Sequence, residues 1–180
     1  MVRRSGGGKR LKVQVKKDGM AYNYDLNGAG AYEVFPLQMG DGSYTVRIME
    51  NVSGSAYREL FSASFPVKLA SGLSPFLYPN QYVRFTASSA AVKKAYALCA
   101  GAGTDVEKLK AVYNFLINNI QYDYAKAATV KSGYLPDVDA VLAARKGICF
   151  DYSALMAAML RAEDVPTKLV IRSEEHTSEL

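Results

Sequence analysis

Histidine and cysteine are scarce in this chain of 180 residues. It has one histidine, His176, and two cysteines, Cys99 and Cys149. Two cysteines are too few for a disulfide framework, and nothing in their placement pairs them. No Cys/His cluster has zinc-ligand spacing, and no glycine-rich loop leads into a helix as a phosphate cradle does, so neither a metal nor a cofactor is expected. Long apolar runs are also missing, and no stretch approaches the roughly 20 residues of a membrane span. Met1–Arg10 is basic but has no apolar run after it, which is not the pattern of a signal peptide. Acidic residues are absent from positions 1–17, which hold seven lysines and arginines, while the rest of the chain is close to neutral. The net charge of +5 therefore belongs to the terminus and not to a fold, and no nucleic-acid partner is expected. Residues 1–8 are read as a disordered leader. What remains, 49% hydrophobic and 22% charged, is enough to bury a core in one domain or two small ones. No internal repeat stands out.

Residues 9–69 read as a β-rich module. Leu11, Val13 and Val15 alternate with Lys12, Gln14 and Lys16, and Lys17-Asp18-Gly19 is a turn. Tyr22, Tyr24 and Leu26 form the next alternation, closed by Asn27-Gly28. A short strand is expected over 31–37, at an edge because of Pro36. Tyr44, Val46 and Ile48 follow Asp41-Gly42. The longest alternation runs through Tyr57, Phe61, Ala63, Phe65, Val67 and Leu69, broken at Glu59 and Leu60 as by a bulge. Short strands with turn signals at this spacing predict a small antiparallel sandwich or barrel.

Residues 70–87, with prolines at 75 and 79, read as a linker held down by Phe76, Leu77 and Tyr78. The helical half begins at Ser88-Ser89, as N-caps, and its first helix stops at Gly101. Cys99 lies on that helix and reads as a small buried hydrophobe. Thr104-Asp-Val-Glu107 is a capping box. It opens an amphipathic helix whose Val106, Leu109, Val112, Tyr113, Leu116, Ile117 and Ile120 recur at spacings of three and four. Residues 125–136 read as a loop, and Val138–Arg145 as a short helix ended by Lys146-Gly147.

Next comes Gly147-Ile-Cys149-Phe-Asp-Tyr-Ser, followed by the apolar run Ala154–Leu160. The glycine breaks the chain and the cysteine falls in the first turn of a helix. Unpaired N–H groups and the positive end of the helix dipole stabilise an anion there, and the thiolate is the nucleophilic form of cysteine. Asp151, two residues on, points to another face. It favours the helix start and, if anything, opposes a thiolate. Tyr152 is expected to pack beside the site.

Residues 146–171, from Lys146-Gly-Ile-Cys through Val165-Pro-Thr-Lys-Leu-Val-Ile171, resemble the transglutaminase-like superfamily closely, and 104–145 resemble it more loosely. Asn118-Asn-Ile-Gln-Tyr122 is similar to an aromatic-rich turn of that family. The resemblance implies an α+β chain: an N-terminal antiparallel β-sandwich-like module, then the helical N-terminal part of a papain-like transglutaminase domain over 88–172, with Thr167–Ile171 as the first strand of its sheet. It also implies a Cys149 nucleophile, a cysteine hydrolase or acyltransferase acting through an acyl-enzyme on peptide or protein amides, and a His and an Asp as partners. Bacterial proteins of this layout are often exported and act on the cell envelope.

His176 lies in Ser173–Leu180, a polar stretch with neither helical nor strand period. That context is unlike the family's base, and residues 173–180 are read as a non-native tail. The chain is accordingly expected to be truncated before the His and Asp motifs and inactive as it stands. A helix apolar on nearly every face also needs cover. With the sheet missing, exposed apolar surface is expected around Met156, Met159 and Leu160. The alternative to an enzyme is a non-catalytic module whose tyrosine-rich sheet binds a surface polymer, with the helical half as scaffold.

Overall fold

The computed structural model describes residues 1–4, 8–27 and 30–170. Gly28, half of an expected turn, and residues 171–180, with His176, lie outside the described residues.

Strand β1 (Leu11–Lys17) pairs antiparallel with β2 (Met20–Leu26) through Asp18 and Gly19, both at positive φ, the backbone of a tight two-residue hairpin. Strand β3 (Gly42–Ser53) pairs with the other edge of β1, and β4 (Ala56–Val67) with β3, giving the order β2-β1-β3-β4. The register slips after Ile48↔Phe61, and Met49 meets Glu59, so Leu60 is the bulged residue anticipated from the broken alternation.

The sandwich-like expectation is corrected to a single layer. The four strands form one sheet, and among the described residues no second sheet lies over it. Among the described residues the segment expected as a strand over 31–37 pairs with another strand-like stretch only through the Val2↔Glu33 bridge, which also ties down Val2 within the expected leader. It lays Phe35, Leu37 and Met39 across the inner face, over Val13, Val15, Tyr24 and Tyr44. The Tyr44 hydroxyl accepts from the Met39 N–H (2.8 Å) and donates to the Gly40 carbonyl (2.7 Å), pinning that cover. The cover stops short of β4, where Leu60 and Phe61 remain half exposed.

Residues 70–87 contain a 3-10 turn, Ser74–Phe76. Tyr82 packs against the cores of both halves, with its ring 5.4 Å from Tyr24 and 5.6 Å from Phe150.

The helical half comprises α1 (Ala90–Cys99), α2 (Asp105–Asn119), α3 (Tyr124–Thr129), α4 (Val138–Ala144) and α5 (Cys149–Ala162). The two-residue strands β5 (Gln121–Tyr122) and β6 (Lys146–Gly147) pair in parallel. α1 starts after Ser89, but its start is capped from elsewhere: the Ala91 N–H donates to the Asp139 carboxylate of α4 (2.9 Å). Gly101, at φ 89°, follows its end as expected. The stretch read as a loop over 125–136 holds α3, because the Asp123 side chain caps it by accepting from the Lys126 N–H. Thr167–Val170 is not a strand: among the described residues no partner strand supplies a ladder, and the Thr167 N–H goes to the Phe76 carbonyl instead.

Contrary to expectation, Met159 and Leu160 are buried and Met156 is half-buried, because α1, α2 and α4 all pack on α5. Exposed apolar surface sits on the outer side of α2 instead. Of its apolar positions Val112, Leu116 and the following Ile120 are buried, whereas Val106, Leu109, Tyr113 and Ile117 face outward. Among the described residues no helix is long and apolar enough to cross a membrane.

The capping box opening α2 is formed. Glu107 N–H donates to Thr104 Oγ1, and the Glu107 carboxylate accepts from the Gly103 and Thr104 N–H groups. Those backbone bonds hold the Glu107 carboxyl below the usual range. A folded pKa below the unfolded one means its stabilising contribution is present above the ordinary glutamate range and lost as pH falls through the lowered value. Thr104→Ala is expected to cost about 1 kcal/mol in urea unfolding.

Candidate active site

Cys149 is the first residue of α5, and its side chain is exposed. Neither the 560 Å³ nor the 320 Å³ cavity of the molecule is lined by it. Helix geometry leaves the first-turn N–H groups, those of Cys149 and Phe150 among them, without intrahelical partners. Ile148 precedes the helix in extended conformation (φ −92°, ψ 174°). Its turn is held on one side by β6, whose pairing with β5 is extended by bonds from Gln121 N–H to Arg145 O and from Asp123 N–H to Gly147 O, both 2.9 Å. The family-like Asn118–Tyr122 stretch therefore runs alongside the turn that presents the cysteine. Arg145, at φ 51°, makes the reversal from α4 into β6.

On the inner side of the turn, Asp151 is fully buried. Its Oδ2 accepts from the Ile148 N–H (2.9 Å) and from Lys126 Nζ (2.6 Å), and its Oδ1 from the Tyr134 hydroxyl (2.6 Å). Lys126 Nζ also donates to the Tyr134 hydroxyl at 2.6 Å. Burial alone would lower the Lys126 ammonium. The bonds to Asp151 and Tyr134 outweigh it, so the ammonium ends above its ordinary range. Tyr134 is pushed up by burial first and by the Asp151 carboxylate second, and keeps its proton. The carboxylate that the sequence set against a thiolate is thus buried, whereas the sulfur is exposed, and it carries its own cation. Phe150 packs edge-on between Tyr82 and Tyr134.

This arrangement explains the glycine of the Gly-x-Cys-x-Asp pattern. A Cβ on Gly147 would lie 2.7 Å from the Asp151 Cβ and 3.0 Å from its Oδ2. Because three bonds hold that side chain in place, it cannot swing aside, and Gly147→Ala is expected to lose about 1–3 kcal/mol of stability in chemical denaturation. Tyr152, expected beside the site, reaches away from it: its hydroxyl donates to the Ile120 carbonyl and clamps α5 to the end of α2.

Sequence reasoning missed Lys126 and Tyr134, both inside the expected loop. Nothing in their spacing points to Asp151, which lies far along the chain. Cys99 is buried, and burial pushes its thiol up. Among the described residues no group of three or more His, Cys, Asp or Glu could hold a metal ion.

The comparison with curated proteins found no match, and neither did that with solved structures. The sequence model of the transglutaminase-like superfamily matches residues 92–179, from α1 through α5 and on past the last described residue. The stretch it matches, just under half of the chain, carries the Gly147–Cys149–Asp151 turn and the helices packed around it, and over residues 92–179 the chain is similar to the transglutaminase-like superfamily.

Proposed function

We propose that Cys149 is the nucleophile of a thiol site that takes acyl groups from peptide or protein amides as an acyl-enzyme. The observation that carries this reading is the exposed Cys149 side chain at the first residue of α5, on a turn that buried groups hold from beneath. The thiolate attacks the carbonyl carbon and an S–C bond forms. The resulting oxyanion meets a first-turn N–H, with that of Cys149 itself the natural donor, and the amine departs with a proton. Water then completes hydrolysis, or a second amine completes transfer.

Expulsion of an amine needs a proton donor, which the family's His and Asp partners would supply. The one histidine of this chain, His176, lies outside the described residues. Removing the base from such a unit costs several orders of magnitude in rate, so turnover of an amide tests those partners together with the cysteine. An activated ester, whose leaving group departs without a proton, still acylates. The resemblance extends the proposal to bacterial, exported enzymes with cell-envelope substrates.

Incubation with p-nitrophenyl acetate, followed by intact and peptide mass spectrometry, tests the reading. A single acetyl adduct on Cys149 is expected, discharged by added amine, absent from Cys149→Ala and not formed on Cys99. Acetylation that ignores Cys149→Ala, or none at all, would overturn the proposal and leave the non-catalytic, surface-polymer-binding module as the better account of the chain.

A further inference from the structure

At the opposite end of α5 from Cys149 lies a cavity of about 320 Å³ between the sheet and the helical half. Arg161, from the last turn of α5, lines it and is only 4% exposed. Its Nε and Nη2 donate to the Thr167 carbonyl (3.0 and 2.7 Å) and its Nη1 to the Tyr78 carbonyl (2.8 Å). A guanidinium has five N–H groups, so one remains on each terminal nitrogen. Among the described residues no carboxylate pairs with it. A buried cation held only by carbonyl dipoles is costly unless an anion completes it. Burial pushes the Arg161 guanidinium down to about 10, which still leaves it charged at neutral pH.

The rest of the lining has the same bias. Lys168 is a second cation, set over the Phe76 ring at 5.6 Å, and among the described residues no Asp or Glu lines the cavity. The walls are aromatic: Phe76, Tyr24 and Tyr82. Burial raises both tyrosines, so they remain neutral donors. The Tyr24 hydroxyl accepts a long bond from Gln38 (3.5 Å) and its own proton is uncommitted among the described residues.

We infer that this cavity is a binding site for a small carboxylate with an aromatic body, its two oxygens on Arg161 with the Lys168 ammonium nearby as a second charge and its ring among Phe76, Tyr24 and Tyr82. Two N–H groups on one guanidinium match the two oxygens of a carboxylate, and the cavity is at the small end of ligand sites. The site is separate from Cys149 and does not depend on its chemistry.

Calorimetric titration of the full chain with 3-phenylpropionate and with its uncharged counterpart, 3-phenylpropanamide, tests this. Saturable one-to-one binding of the carboxylate is expected, with the amide at least about tenfold weaker. Arg161 also anchors Tyr78 and Thr167, so Arg161→Met risks the fold. Lys168, which is exposed, is the usable variant, and Lys168→Glu should weaken the carboxylate by at least about threefold while leaving the amide unchanged. Three results would each overturn the inference: no saturation below about 10 mM, equal binding of acid and amide, or carboxylate affinity indifferent to Lys168→Glu.

Discussion

Replacing Lys126 by methionine is expected to cost the fold about 3–5 kcal/mol, because it strands a fully buried carboxylate without its cation. For a chain of this length that is a fall in melting temperature of roughly 6–20 °C. Asp151→Ala is expected to be severe for a different reason: it orphans the Ile148 N–H and the Tyr134 hydroxyl and leaves a void beneath the turn. The informative quantity is the coupling. If Lys126, Tyr134 and Asp151 act as one unit, the double variant Lys126→Met/Asp151→Ala loses less than the two single losses added, by at least about 1 kcal/mol. Urea unfolding of the four proteins measures it, and strict additivity would show that the ammonium is held by something other than the carboxylate. The expected consequence for function is local: the turn that presents Cys149 loosens before the helix bundle does, since Asp151 is its only side-chain tie to Ile148 among the described residues.

Met159→Ala is expected to destabilise by about 2–5 kcal/mol, as truncations of fully buried side chains do. The same substitution at a surface position would fall within about ±0.5 kcal/mol. The expectation of a missing sheet placed Met159 on an uncovered face, whereas packing by α1, α2 and α4 places it in the core, so one denaturation curve separates the two pictures. Ile117→Ser, on the outer side of α2, is the matched control and should change stability by no more than about 0.5 kcal/mol. A large loss at Ile117 with none at Met159 would mean that the helices close around α5 differently.

The contrast between these two positions shows where sequence reading reached its limit. Periodicity identifies apolar residues but not which of two adjacent apolar arcs meets a neighbour. Along α2 both Val112–Leu116 and Tyr113–Ile117 satisfy the helical spacing, and only the first pair is covered. The same holds in β4, where Phe61 and Phe65 keep strand alternation yet stay partly exposed, while Val67 on the same strand packs against the sheet's core cluster. Segment 31–37 alternates like a strand as well. It lies over the sheet because its apolar residues gain more by covering Val13 and Tyr44 than by extending an edge, and Pro36 cannot donate to a ladder. Polar residues were harder still. Asp139 caps α1 from a distant helix, and Lys126 and Tyr134 meet Asp151 only after α3 folds back under the α5 turn.

What the sequence determined by itself was local and chemical. Asp18-Gly19 sets the first hairpin, Leu60 the bulge, and Thr104 with Glu107 the start of α2. Gly147 and the residues after it put a cysteine on a helix start. Each follows from backbone sterics or from bonds a few residues long, which neighbouring side chains already contain. Tertiary structure alone decided the rest: that the β half is one sheet under a loop, that α5 is enclosed by helices, that Asp151 turns inward to a lysine, and that Arg161 lines a cavity with no acid among its described residues. Those outcomes depend on which surfaces meet once the chain has collapsed. Burial and charge pairing are settled between residues far apart in the chain, where no spacing rule applies.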